Sequence, residues 1–157
     1  MRGRQPFKFV SGAVLGLLVV GLIASPASAD NTYHSTQIAL TPVGNAPLRT
    51  GFVENIHANG PNVFAHENYV VNGAIPNTDF QVAISVWVDN TACTGDPSFT
   101  LPTATLSTNG AGNGQAQHVF TPADASGLHN TTDGAMWTLS TNGGETYTSG
   151  CEVISLD

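Results

Sequence analysis

Phe80-Gln81-Val82-Ala83-Ile84-Ser85-Val86-Trp87-Val88-Asp89 decides the fold class. Phe80, Val82, Ile84, Val86 and Val88 fall on every second position, the period at which a pleated strand turns its side chains to one face. A helix would scatter the same residues around its axis. The run follows Gly73-Ala74-Ile75-Pro76-Asn77-Thr78, a turn-forming segment. Moving outward, residues 103–108 and 115–120 are extended stretches on either side of Asn109-Gly110-Ala111-Gly112-Asn113-Gly114, which predicts a hairpin around a glycine-rich turn. Further strands are predicted over residues 35–40, 48–57, 63–72, 135–141 and 145–156. The last two flank Asn142-Gly143-Gly144, a second hairpin signal. One short helix is predicted around residues 123–127, with Pro122 at its first position and Gly127 as its stop. Seven or eight short strands separated by turns predict an all-β fold, an antiparallel sandwich, with a small barrel as the other way to bury such faces.

The chain ends differ sharply in charge. Three of the four basic residues, Arg2, Arg4 and Lys8, precede the apolar residues 9–24, and Ser25-Pro26-Ala27-Ser28-Ala29 follows. A basic start, an apolar run and an Ala-x-Ala site predict a secretory signal peptide over residues 1–29, cut after Ala29, and one secreted domain over residues 30–157. The run of residues 9–24 is short for a membrane span, and no other segment approaches one, so no transmembrane segment is expected in the mature protein. Beyond Ala29 the chain keeps Arg49 against all eleven carboxylates. Nucleic-acid binding needs clustered Lys and Arg, and attraction to an anionic membrane needs the same, so both partner classes are excluded. The long apolar run points to a bacterial source.

Cys93 and Cys151 both lie in the exported part, where an oxidising compartment preserves disulfides. A bridge between them closes a long loop, which the chain-entropy model values at about 4 kcal/mol. The competing reading, a pair of metal ligands, lacks a second Cys or His at close spacing.

Five histidines are present, and two of them suggest a site. A turn centred on Pro61 and Asn62 would set His57 opposite His66 on one face of a hairpin, half of a zinc or copper site, with Asn55 and Asn68 as weak further ligands and Glu54 and Glu67 on the other face. Exposed histidines on a polar hairpin are the alternative. Asp89, Asn90 and Asp96 surround Cys93 with oxygen atoms but lack the spacing of a calcium loop. Gly110-x-Gly112-x-Gly114 precedes a strand rather than a helix and lacks a Lys-Ser or Lys-Thr ending, so it is read as a turn and not a phosphate cradle. No Gly-x-Ser-x-Gly, His-Glu-x-x-His or Ser-x-x-Lys motif is present, no catalytic residue is assigned, and no cofactor is expected. Trp87 falls on the face opposite the apolar one, as a contact residue for a sugar or protein or as packing beneath a loop. Asn130-Thr131-Thr132 is a glycosylation sequon.

The order from Gly73 to Val82, then a cysteine-bearing loop, then Leu106 to Gly114 resembles secreted bacterial immunoglobulin-like domains, over roughly residues 73–120. Trp87-Val88-Asp89 with Cys93 is similar to the neocarzinostatin-type chromoproteins, acidic sandwiches that hold an apolar cofactor and carry two disulfides where this chain can form one. The first resemblance implies an immunoglobulin-like sandwich, and the second implies a carrier of a small apolar ligand. Together these readings predict a secreted, non-catalytic binding or surface-interaction module, its partner an extracellular protein or glycan. The alternatives are a carrier with a cleft in the sandwich and a small secreted hydrolase.

Overall fold

Asp79–Trp87 is a strand, and its alternation is the predicted one: Phe80, Val82, Ile84 and Val86 are buried. The computed structural model describes residues 33–58, 65–121, 123–124 and 131–156. Within them the strands are β1 (Tyr33–Ala39), β2 (Thr41–Val43), β3 (Thr50–Ala58), β4 (Ala65–Asn72), β5 (Asp79–Trp87), β6 (Phe99–Ser107), β7 (Gly114–Phe120), β8 (Thr131–Ser140), β9 (Thr146–Thr148) and β10 (Glu152–Leu156). All pairings are antiparallel. One sheet has the order β1-β3-β4-β7; the other runs β2-β9-β8-β5-β6, with β10 beside β8. Residues from both sheets share one core, including Val53, Tyr69 and Val71 from the first and Phe80, Val82, Trp137 and Leu139 from the second. The arrangement is all-β and consistent with a sandwich. Asn31–Asp157 forms one compact unit. The predicted signal peptide over 1–29 lies outside the described residues, as does most of the predicted short helix; Ala123 and Asp124 lie in a turn. No helix among the described residues is long and apolar enough to cross a membrane.

Three sequence expectations are corrected. The segment Asn109 to Gly114 is not a hairpin within one sheet: β6 belongs to the second sheet and β7 to the first, so the chain changes sheets there. The reason lies in where the loop's hydrogen bonds go. Asn109 closes the loop on itself, its side-chain oxygen accepting the Ala111 and Asn113 N–H groups. The loop is also tied to the turn before β5, with Ala74 N–H donating to Gly112 O and Asn77 N–H to Asn109 O. Gly112 has φ 73° and sits so close to Ala74 that a Cβ would lie 2.1 Å from that residue's carbonyl oxygen. Only glycine meets both demands.

The last predicted strand is interrupted. Both β9 and β10 pair with β8, but four residue steps from Thr148 to Glu152 face three from Thr138 to Ala135. The extra residue makes a bulge at residues 149–151, where the Ser149 hydroxyl oxygen accepts the Trp137 backbone N–H at 3.0 Å. The hairpin around Asn142-Gly143-Gly144 forms as expected.

The third correction is the β3–β4 register. His66 stands opposite Ile56, one residue away from the expected pairing with His57. A slip of one residue reassigns every facing pair. Asn55 therefore stands opposite Glu67, and both are buried.

Candidate functional site

The inward face of β4 carries Ala65, Glu67, Tyr69 and Val71, all buried. Alternation puts a carboxyl group in an apolar row. Glu67 is 1% exposed, and its Oε2 accepts two hydrogen bonds, from the Tyr69 hydroxyl at 2.5 Å and from the Trp137 indole Nε1 at 2.9 Å. Trp137 belongs to β8 in the opposite sheet, so this contact links the two layers. The Tyr69 hydroxyl also lies 2.8 Å from Thr103 Oγ1 on β6. No residue among those described donates to Oε1.

Burial pushes the Glu67 carboxyl up to about 7, since removing a carboxylate from water disfavours its charged form; the hydrogen bonds from Tyr69 and Trp137 work in the opposite direction. Burial also holds the Tyr69 phenol above its ordinary value, reinforced by the charge of Glu67, so the hydroxyl stays a donor.

Glu67 lies at a cavity of about 30 Å³ between the sheets. Its walls are apolar: Ala65, Ile84, Val86, Phe99, Leu101, Phe120 and Ile154. Asn55 and Asp124 complete the lining. Asn55 is 4% exposed, and its Oδ1 has no hydrogen-bond partner. An unpaired buried acceptor costs about 1–3 kcal/mol, so the position is not optimised for stability. On the other side of Glu67, in register, stands His118 of β7, whose Nε2 is likewise buried and unpaired and whose ring packs edge-on against Phe120. Asn55, Glu67 and His118 thus form a polar row across three neighbouring strands. Asp124 is exposed, and the Thr121 backbone N–H, then the Thr121 hydroxyl, hold its carboxyl below the usual carboxylate range.

Cys93 and Cys151 are bonded, with Cα atoms 5.8 Å apart and a sequence separation of 58. The bridge ties the loop after β5 to the bulge between β9 and β10. The chain-entropy model values a loop of that length at about 4 kcal/mol. Gly134 lets the loop lie flat, since a Cβ there would be 2.4 Å from Asn90 O. The His57 side chain lies outside the described residues; its backbone pairs with His34 on β1, and His66 is a register step away. No group of three or more His, Cys, Asp or Glu among the described residues is arranged to hold a metal. Trp87 is 7% exposed, with its indole N–H on the Gly95 carbonyl at 3.0 Å, packed beneath the loop that follows it. Asn90 forms that loop, its side chain bonding Thr94 O and the Ala92 N–H. Asn130 lies outside the described residues.

Sequence reasoning missed Glu67, Asn55, Tyr69 and Trp137 as a group. A signal for Glu67 existed, because Ala65, Tyr69 and Val71 share its parity in β4. No local signal pairs it with Trp137, seventy positions away. No protein-family model, curated protein or solved structure matches the chain.

Proposed function

We propose that this chain is a secreted, non-catalytic binding protein with an immunoglobulin-like β-sandwich, exported through the signal peptide of residues 1–29, which holds a small ligand between its sheets. The observation that carries this reading is the apolar cavity with the Glu67 carboxyl at its wall. Ligand sites are mostly apolar surfaces with a few polar groups; at about 30 Å³ this one is far below the usual size and takes only the end of a ligand. Of the two binding readings, a ligand between the sheets is favoured over surface contact through Trp87, because Trp87 is packed beneath a loop. The disulfide supports an oxidising, extracellular setting.

The hydrolase reading draws on the same carboxyl, since a group titrating near 7 suits general acid work. The cavity has room for about two or three water-sized groups, too few for a scissile bond and both its substituents. Titration of the Trp137 indole N–H resonance with cationic, neutral and anionic aliphatic probes tests the proposal. At least one class should shift that resonance saturably, and Ala65→Leu, which fills the cavity, should abolish the shift. Silence from every class would overturn it.

A further inference from the structure

We propose that Asn142 is a site of covalent self-modification, its carboxamide converted to aspartate and isoaspartate with Glu145 acting, through the Thr141 hydroxyl, as the base on the Gly143 amide. The proposal is independent of the cavity. In an Asn-Gly pair the glycine nitrogen can reach the asparagine side-chain carbonyl without a Cβ in the way. Five such pairs stand in the sequence, at Asn59, Asn72, Asn109, Asn113 and Asn142. The first lies outside the described residues.

Three of the other four are held. Asn72 Nδ2 donates to Thr50 Oγ1 at 3.2 Å. Asn109 Oδ1 accepts the N–H groups of Ala111 and Asn113. Asn113 Oδ1 accepts the Gly73 N–H at 3.2 Å. Attack requires the carboxamide to swing over the following nitrogen, and these bonds oppose that rotation. Asn142 differs: it is exposed, in the turn between β8 and β9, and its side chain is hydrogen-bonded to none of the described residues.

The same turn supplies a route for the proton. The Gly143 N–H donates to Thr141 Oγ1 at 3.1 Å, and that hydroxyl donates to Glu145 Oε2 at 2.6 Å. The carboxylate lies close over the glycine, since a Cβ on Gly143 would stand 2.6 Å from Oε2. As the Gly143 nitrogen bonds to Asn142 Cγ, its proton passes to the Thr141 oxygen and the hydroxyl proton to Glu145. The Cγ–Nδ2 bond then breaks, and ammonia leaves with the proton that Glu145 returns. Water opens the resulting succinimide at either carbonyl. Opening at Cγ gives aspartate; opening at the main-chain carbonyl gives isoaspartate, with the backbone running through the former side chain. Either product adds a carboxylate to a surface depression of about 430 Å³ that Asp79 and Glu145 also line.

The test is peptide mapping of the intact chain aged at neutral pH, folded and in urea, with anion exchange to separate the more acidic product. Asn142 should convert first in the folded chain, ahead of Asn72, Asn109 and Asn113, and should yield both isomers. Glu145→Gln keeps an acceptor for the Thr141 hydroxyl and removes the base; it should slow conversion at Asn142 at least about tenfold in the folded chain and leave the rate in urea unchanged. Thr141→Val interrupts the same route at its middle and should act in the same direction. Conversion led by Asn72, Asn109 or Asn113, or an Asn142 rate that Glu145→Gln leaves unaltered in the folded chain, would overturn the proposal. The order of conversion is read on the unaltered chain, so this arm does not depend on either variant folding.

Discussion

Two buried tyrosines meet their surroundings in different ways. Tyr147 packs on Phe80 and gives its hydroxyl proton to Pro47 O at 2.8 Å, while the same oxygen receives the Ile75 N–H at 3.4 Å. Its partners are backbone groups of the loops it closes, and neither can titrate. Tyr69 gives its proton to a carboxyl group beside an unpaired asparagine oxygen and an open cavity. Both phenols are held above their ordinary values by burial, so the same physical effect acts on each. The difference lies in what the hydroxyl is bonded to. One end of the core is saturated; the other keeps acceptors in reserve, an arrangement that costs stability and suits a binding site.

The largest expected effect tests the titrating end. The Glu67 carboxyl stands at about 7 in the folded chain against 4.5 for the ordinary group. Between those values the folded state binds more protons, so its contribution is full below pH 4.5 and is lost as pH rises to 7, about 3 kcal/mol in all. Urea unfolding at several pH values should show this fall for the native chain and not for Glu67→Gln, which should be the more stable protein at pH 8. Parallel pH profiles for the two proteins would show that Glu67 does not titrate in this window.

A smaller effect is expected at Asn55. Replacing it with valine removes an unpaired buried oxygen and puts a strand-favouring residue in its place, which should stabilise the fold by about 1–2 kcal/mol. The same change should abolish binding at the cavity. Destabilisation instead would mean that Asn55 is already paired in solution. At the saturated end, Tyr147→Phe should cost about 1 kcal/mol, equally at pH 5 and pH 8, because no partner of that hydroxyl ionises. A pH-dependent loss there would erase the contrast between the two ends.

Much of the fold was legible because strands announce themselves through a period of two. β5 was read almost to its boundaries, and the hairpin at Asn142-Gly143-Gly144 followed from its turn residues. The glycine loop before β7 misled, since its composition is that of a hairpin turn while its hydrogen bonds run to the turn around Ala74. The histidine pair misled for a different reason. A turn can be centred in more than one way, and a single-residue choice decides which side chains face each other. The bulge at Ser149 was invisible because its polar partner is the Trp137 backbone, which sequence cannot position.

The sequence by itself determined that the protein is built of strands, that its two cysteines can meet only each other, and that beyond Ala29 it carries one arginine against eleven carboxylates. These follow from local periodicity, from parity and from composition, none of which needs a third dimension. Tertiary structure decided that Glu67, Asn55 and Trp137 converge, and that a carboxyl group is left in an apolar cavity. Strand register and the stacking of two sheets are set by the whole core at once, and burial, which governs how that carboxyl titrates, exists only once the sheets have closed.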